Sequence, residues 1–72
     1  MFYLYEHLQN GKEIWLGDYR TIPACQRAVE IRWDIMKQLG YTKATFHCEN
    51  AETGKFVIGW GYNDEEEVPI WR

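Results

Sequence analysis

The chain has no apolar run near the roughly 18 residues needed to cross a bilayer, and its first residues lack the basic, apolar and small-residue zones of a signal peptide. A cytosolic chain with no membrane partner is the expectation. Cysteine is scarce: Cys25 and Cys48 fit neither a dense disulfide framework nor paired CxxC metal knuckles, so reduced, packed thiols are favoured over a bridge. Repeats, low-complexity tracts and internal linkers are also missing. So is any excess of positive charge. The formal net charge is −3, with Asp64, Glu65, Glu66 and Glu67 standing together, while acids and bases balance in the residues before them. A neutral body does not gather phosphate backbones, which disfavours nucleic acid as a partner.

The ingredients of catalysis are missing as well. His7 and His47 are the only histidines. His47 is next to Cys48, and neighbours on a strand point to opposite faces, so the two do not form a thiolate–imidazole pair. Cys25 falls on the apolar stripe of a helix, where a thiol is usually inert. With no nucleophile, base and orienting group in view, the chain does not read as an enzyme. There is no HxxxH spacing, no acidic calcium loop and no phosphate-cradling glycine loop, so neither a metal nor a cofactor is expected.

What is present is apolar and aromatic. Of 72 residues, 46% are hydrophobic and 17% aromatic, far above the content of disordered chains. A chain this short buries only about 60% of its unfolded surface and supports one core. Residues 1–62 therefore read as a single domain and 63–72 as an acidic and apolar C-terminal tail. Phe2 to Leu8 alternates, with Phe2, Leu4 and Leu8 on one side and Tyr3, Tyr5 and His7 on the other, as a pleated strand requires. Glu13 to Tyr19 is its partner, joined through Asn10-Gly11. A two-residue loop would pair Tyr5 with Leu16. A three-residue loop with Gly11 left-handed would pair Leu4 with Leu16 and Tyr5 with Trp15, and it is preferred because it sorts Leu4, Leu8, Ile14 and Leu16 from Tyr3, Tyr5, His7 and Trp15.

A helix from about Ile22 to Leu39 is bracketed by Thr21 as N-cap, Pro23 in the first turn and Gly40 as the stop. Its apolar stripe takes in Ile22, Cys25, Ala28, Val29, Ile35, Met36 and Leu39. Trp33 falls at the border, with its indole N–H expected to reach water. Lys43 to Glu49 and Lys55 to Tyr62 form a second hairpin closed by Gly54. If Asn50 pairs with Lys55, Ala44, Phe46, Cys48, Val57, Gly59 and Gly61 share a face, and Thr45, His47, Phe56, Ile58 and Trp60 share the other. The glycines would let the helix approach closely, which turns the first face inward and Phe56, Ile58 and Trp60 outward. The whole is an α+β fold of order ββαββ: a four-stranded antiparallel sheet with one helix packed on one face.

Two features go beyond fold. Arg32 lies at the centre of the helix's apolar stripe and Glu6 interrupts the inward series of the first strand, so the two are expected to meet as a structural ion pair; otherwise Arg32 snorkels past the sheet edge and Glu6 reaches a rim. The second is the outer face. One helix covers one face, so Tyr3, Tyr5, Trp15, Phe56 and Trp60 would leave an aromatic patch larger than monomers usually expose. A partner protein is the natural occupant, with Asp64, Glu65, Glu66 and Glu67 steering it and Trp71 as an apolar anchor. Single-stranded RNA stacked on the sheet is the runner-up, set back by the charge balance and by an element order that differs from the RRM. A homodimer through the same face is a third reading. No family's motif residues can be laid onto the chain. In length and lack of catalytic residues it resembles the small accessory proteins of phages and mobile elements, many of which inhibit a host protein, and that analogy implies an inhibitor or adaptor.

Overall fold

The computed structural model describes residues 1–63, which form β1 (Phe2–His7), β2 (Glu13–Tyr19), α1 (Ile22–Gln38), β3 (Lys43–Asn50) and β4 (Phe56–Asn63). The strands make one open antiparallel sheet in the order β2-β1-β3-β4, with α1 packed against it. Two hairpins are thus joined through their first strands, β1 against β3. Both β2 and β3 run antiparallel to β1, so α1 carries the chain over β1 from an edge strand to an inner one. No helix among the described residues is long and apolar enough to cross a membrane.

The turn and cap chemistry acts where the sequence places it. The first hairpin closes through Leu8 N–H to the Lys12 carbonyl (2.8 Å) and Gly11 N–H to the Leu8 carbonyl (3.1 Å), with Gly11 at φ 86°, the left-handed geometry that costs other residues a Cβ clash. Thr21 caps α1 by accepting from Ala24 N–H at 3.2 Å. At the other end Gly40 N–H donates to the Lys37 carbonyl and Tyr41 N–H to the Met36 carbonyl, both at 3.0 Å, with Gly40 at φ 95°. This is a Schellman closure, and it satisfies two of the carbonyls that a helix end leaves without partners.

Two β-bulges set the registers. In the first hairpin Tyr5 pairs with Trp15 as expected, but the register slips between Leu4 and Tyr5, so Leu4 meets Gly17 instead of Leu16. In the second, Asn50 N–H donates to the Lys55 carbonyl at 2.9 Å and Glu49 pairs with Phe56, after which Cys48 meets Ile58 rather than Val57. One extra residue reverses the facing of everything beyond it. Ile58 and Trp60 therefore turn inward, opposite the expected direction, and are buried with Tyr62, Phe46, Ala44 and Cys48, while Gly59 and Gly61 oppose His47 and Thr45 instead of lining the core.

The core follows from that reversal. Trp60, Phe46, Leu4, Val29, Cys25 and Cys48 are its fully buried members. Trp33, expected at the border of the helix stripe, is also buried and stacks on Tyr62 with centroids 5.5 Å apart at 28°. Its indole N–H is not at the surface as expected: the Nε1 atoms of Trp33 and Trp60 are both buried with no hydrogen-bond partner among the described residues. The large side chains of β3 and β4 draw the helix face around to Cys25, Val29, Trp33 and Met36. Ile35 and Leu39, expected inside, are exposed instead, together with Ile31. On the β2 side a groove of ≈ 340 Å³ opens between sheet and helix, lined by Leu4, Leu16, Tyr19, Ala28, Ile31, Arg32 and Ile35.

The expected ion pair is formed at that groove. Arg32 Nε donates to Glu6 Oε1 at 2.9 Å, with the Glu6 side chain 5% exposed and that of Arg32 42%. The Cys25 and Cys48 sulfurs lie 3.4 Å apart as free thiols in the core. Burial, reinforced by the neighbouring Cys25 thiol, pushes Cys48 up to about 12 and burial raises Cys25 as well.

Candidate functional site

The face turned away from α1 carries the candidate surface. Strand alternation sends Tyr3, Tyr5 and His7 of β1, Glu13 and Trp15 of β2, and His47 and Glu49 of β3 to this side. Tyr3 and Trp15 meet edge to face across the β1–β2 pair, with centroids 6.4 Å apart at 88°. Trp15 is 56% exposed and Phe56 49%, while Tyr3 is at 36%. These aromatic side chains stand on strands and turn about only two side-chain torsions each, so the ordering cost when a partner docks is small.

Of the residues expected at this surface, Tyr3, Tyr5, Trp15 and Phe56 are present together. Trp60 is not, because the bulge beside Cys48 and Glu49 places it in the core at 0% exposure. The acidic residues Asp64, Glu65, Glu66 and Glu67, and Trp71 with them, lie outside the described residues.

The structure also assembles a group that spacing in the chain conceals. β1 pairs with β2 and β3 at once, so His7 faces Glu13 on one side while His47 lies diagonally across on the other. His7 Nε2 and His47 Nδ1 are 2.5 Å apart, and Glu13 Oε2 stands 3.6 Å from the first nitrogen and 3.8 Å from the second. The opposite nitrogen of His47, Nε2, is 2.7 Å from Glu49 Oε2. The His47 ring is stacked on Tyr5 (5.1 Å, 13°) and on Phe56 (6.1 Å, 30°), which project from the strands on either side of β3. His7, Glu13, His47 and Phe56 surround a hollow of ≈ 260 Å³. Burial, then the Glu49 and Glu13 carboxylates, holds the Tyr5 hydroxyl above the ordinary phenol range.

Placing both histidines on the outer face needs only alternation. Bringing them together needs the strand order, which no local signal encodes. His47 and Cys48 point to opposite faces, with Cys48 in the core against Cys25. Comparison with protein-family models, with curated proteins and with solved structures gives no match, so no relative lends this surface a function.

Proposed function

We propose that this chain is a small, non-enzymatic, cytosolic interaction module, an inhibitor or adaptor, that binds a partner protein through the outer face of its sheet. The carrying observation is the exposed aromatic set of Tyr3, Trp15 and Phe56 on the face turned away from α1. Tyr and Trp supply much of the energy in protein interfaces, and a rigid sheet presents them with little ordering cost. The acidic run from Asp64 to Glu67 adds steering charge in this reading, suited to a partner with a basic rim. Two free, unbridged thiols fit a reducing compartment. RNA is a poorer occupant, because Glu13 and Glu49 place carboxylates among the rings on which bases would stack.

The test is affinity capture by the tagged full chain from a lysate of the organism that encodes it, with and without nuclease, beside sedimentation of the chain alone. One protein retained near stoichiometry after nuclease, from wild type but not from Trp15→Ala, is the expected result. Captured nucleic acid that disappears with nuclease, or a concentration-dependent dimer that Trp15→Ala abolishes, would replace this reading with one of the other two.

A further inference from the structure

We propose that His7, Glu13 and His47 form a binding site for a zinc-class divalent ion on the outer sheet face. The inference rests on the geometry of these side chains and does not depend on the identity of any partner.

The donor set suits the ion. Two imidazole nitrogens and one carboxylate oxygen lie within 4.8 Å of one another. Two imidazoles and a carboxylate leaving an open position is the ligand set that zinc and its first-row neighbours accept. Metal–ligand bonds of about 2.0–2.1 Å at tetrahedral angles require donor atoms about 3.3 Å apart. Two edges of the triangle, 3.6 and 3.8 Å, are already close to that figure. The third, His7 Nε2 to His47 Nδ1 at 2.5 Å, is shorter because a hydrogen bond joins the two rings there. Replacing that hydrogen bond by an ion widens this edge by under about 1 Å, within the reach of His7, whose side chain is 37% exposed.

A surrounding shell is also in place. A ligating histidine commonly donates its other nitrogen to a carboxylate, which fixes the tautomer and makes the metal-facing nitrogen a better donor. Glu49 does this for His47 at 2.7 Å, leaving Nδ1 aimed at His7 and Glu13. The stacking of Tyr5 and Phe56 on the His47 ring holds it in that orientation, and the hollow between His7, Glu13 and Phe56 provides both an entry path and room for a fourth ligand.

The experiment is calorimetric titration of the untagged full chain with zinc, repeated with cobalt as a spectroscopic substitute. The proposal expects one ion per chain, a melting temperature raised by zinc and restored by EDTA, and a cobalt spectrum with low-coordinate d–d bands and no sulfur-to-cobalt charge transfer. His7→Gln and Glu13→Gln should each weaken binding by about 100-fold or more, and Glu49→Gln, a change at a positioning residue, by about 10-fold. Circular dichroism checks that each variant is folded, and Glu13, exposed on an edge strand, gives the variant least able to disturb the fold. Absence of saturable binding, an affinity unchanged by Glu13→Gln, or a thiolate charge-transfer band that assigns the ion to Cys25 and Cys48 would each overturn it.

Discussion

Arg32 of the helix and Glu6 of the first strand share a 2.9 Å hydrogen-bonded ion pair in which the carboxylate is buried and the guanidinium remains partly in water. The two ends therefore respond differently to removal. Arg32→Met strands a carboxylate in the core and is expected to cost about 2–3 kcal/mol, whereas Glu6→Leu leaves a guanidinium free to turn to solvent and is expected to cost about 1 kcal/mol or less. The double variant should recover about 1 kcal/mol or more of the summed losses in chemical denaturation. Strictly additive losses would show that the pair does not interact energetically.

Trp15 and Trp60, both expected on the outer sheet face, divide into opposite roles. Trp60→Ala empties the centre of the core and is expected to cost about 3–5 kcal/mol, enough to leave a chain of this size largely unfolded. Trp15→Ala removes an exposed ring from an edge strand and should change stability by about 0.5 kcal/mol or less while removing partner capture. Thermal melts of the two variants, side by side, decide the assignment.

That division marks where the sequence is legible. The helix, its Thr21 cap and its Gly40 stop, both hairpins, the Tyr5–Trp15 pairing and the Glu6–Arg32 pair all follow from local chemistry or from alternation along the chain. The facing of Ile58 and Trp60 does not, because both faces of that hairpin are apolar and a single bulge beside Glu49 exchanges them. The rotation of the helix toward Trp33 is a consequence of that exchange, since it answers the side chains that β3 and β4 turn inward. The histidine cluster is hidden for a different reason. His7, Glu13 and His47 converge only because β1 sits between β2 and β3, and strand order is a property of the whole fold.

The paired thiols make the fold sensitive to alkali. Cys48 is held up to about 12 and Cys25 is also raised, so above pH 9 the unfolded chain releases thiol protons that the folded chain retains. The folded state then binds more protons, and stability falls as pH rises, by of order 1 kcal/mol per pH unit between about 9 and 12. Cys48→Ala should flatten that slope in urea melts taken across this range. An unchanged slope would assign the alkaline loss to other groups.

The same burial protects the thiols chemically. At pH 8 a thiol held near 12 is thiolate in on the order of one molecule in ten thousand, so alkylation of the native chain should be slow and should accelerate sharply in denaturant. Rapid labelling of both cysteines without denaturant would contradict the packing described for Cys25 and Cys48.

The sheet face turned away from α1 and the apolar groove beside the helix are the two surfaces that partner binding can tell apart. The most direct measurement is the affinity of the captured partner, once purified, for wild type, for the double variant Tyr3→Ala/Trp15→Ala on the sheet face, and for Ile31→Ala/Ile35→Ala beside the groove. A loss of about 100-fold or more is expected for the first pair and little change for the second. A loss confined to Ile31→Ala/Ile35→Ala would move the binding surface to the other side of the molecule and contradict binding through the sheet face.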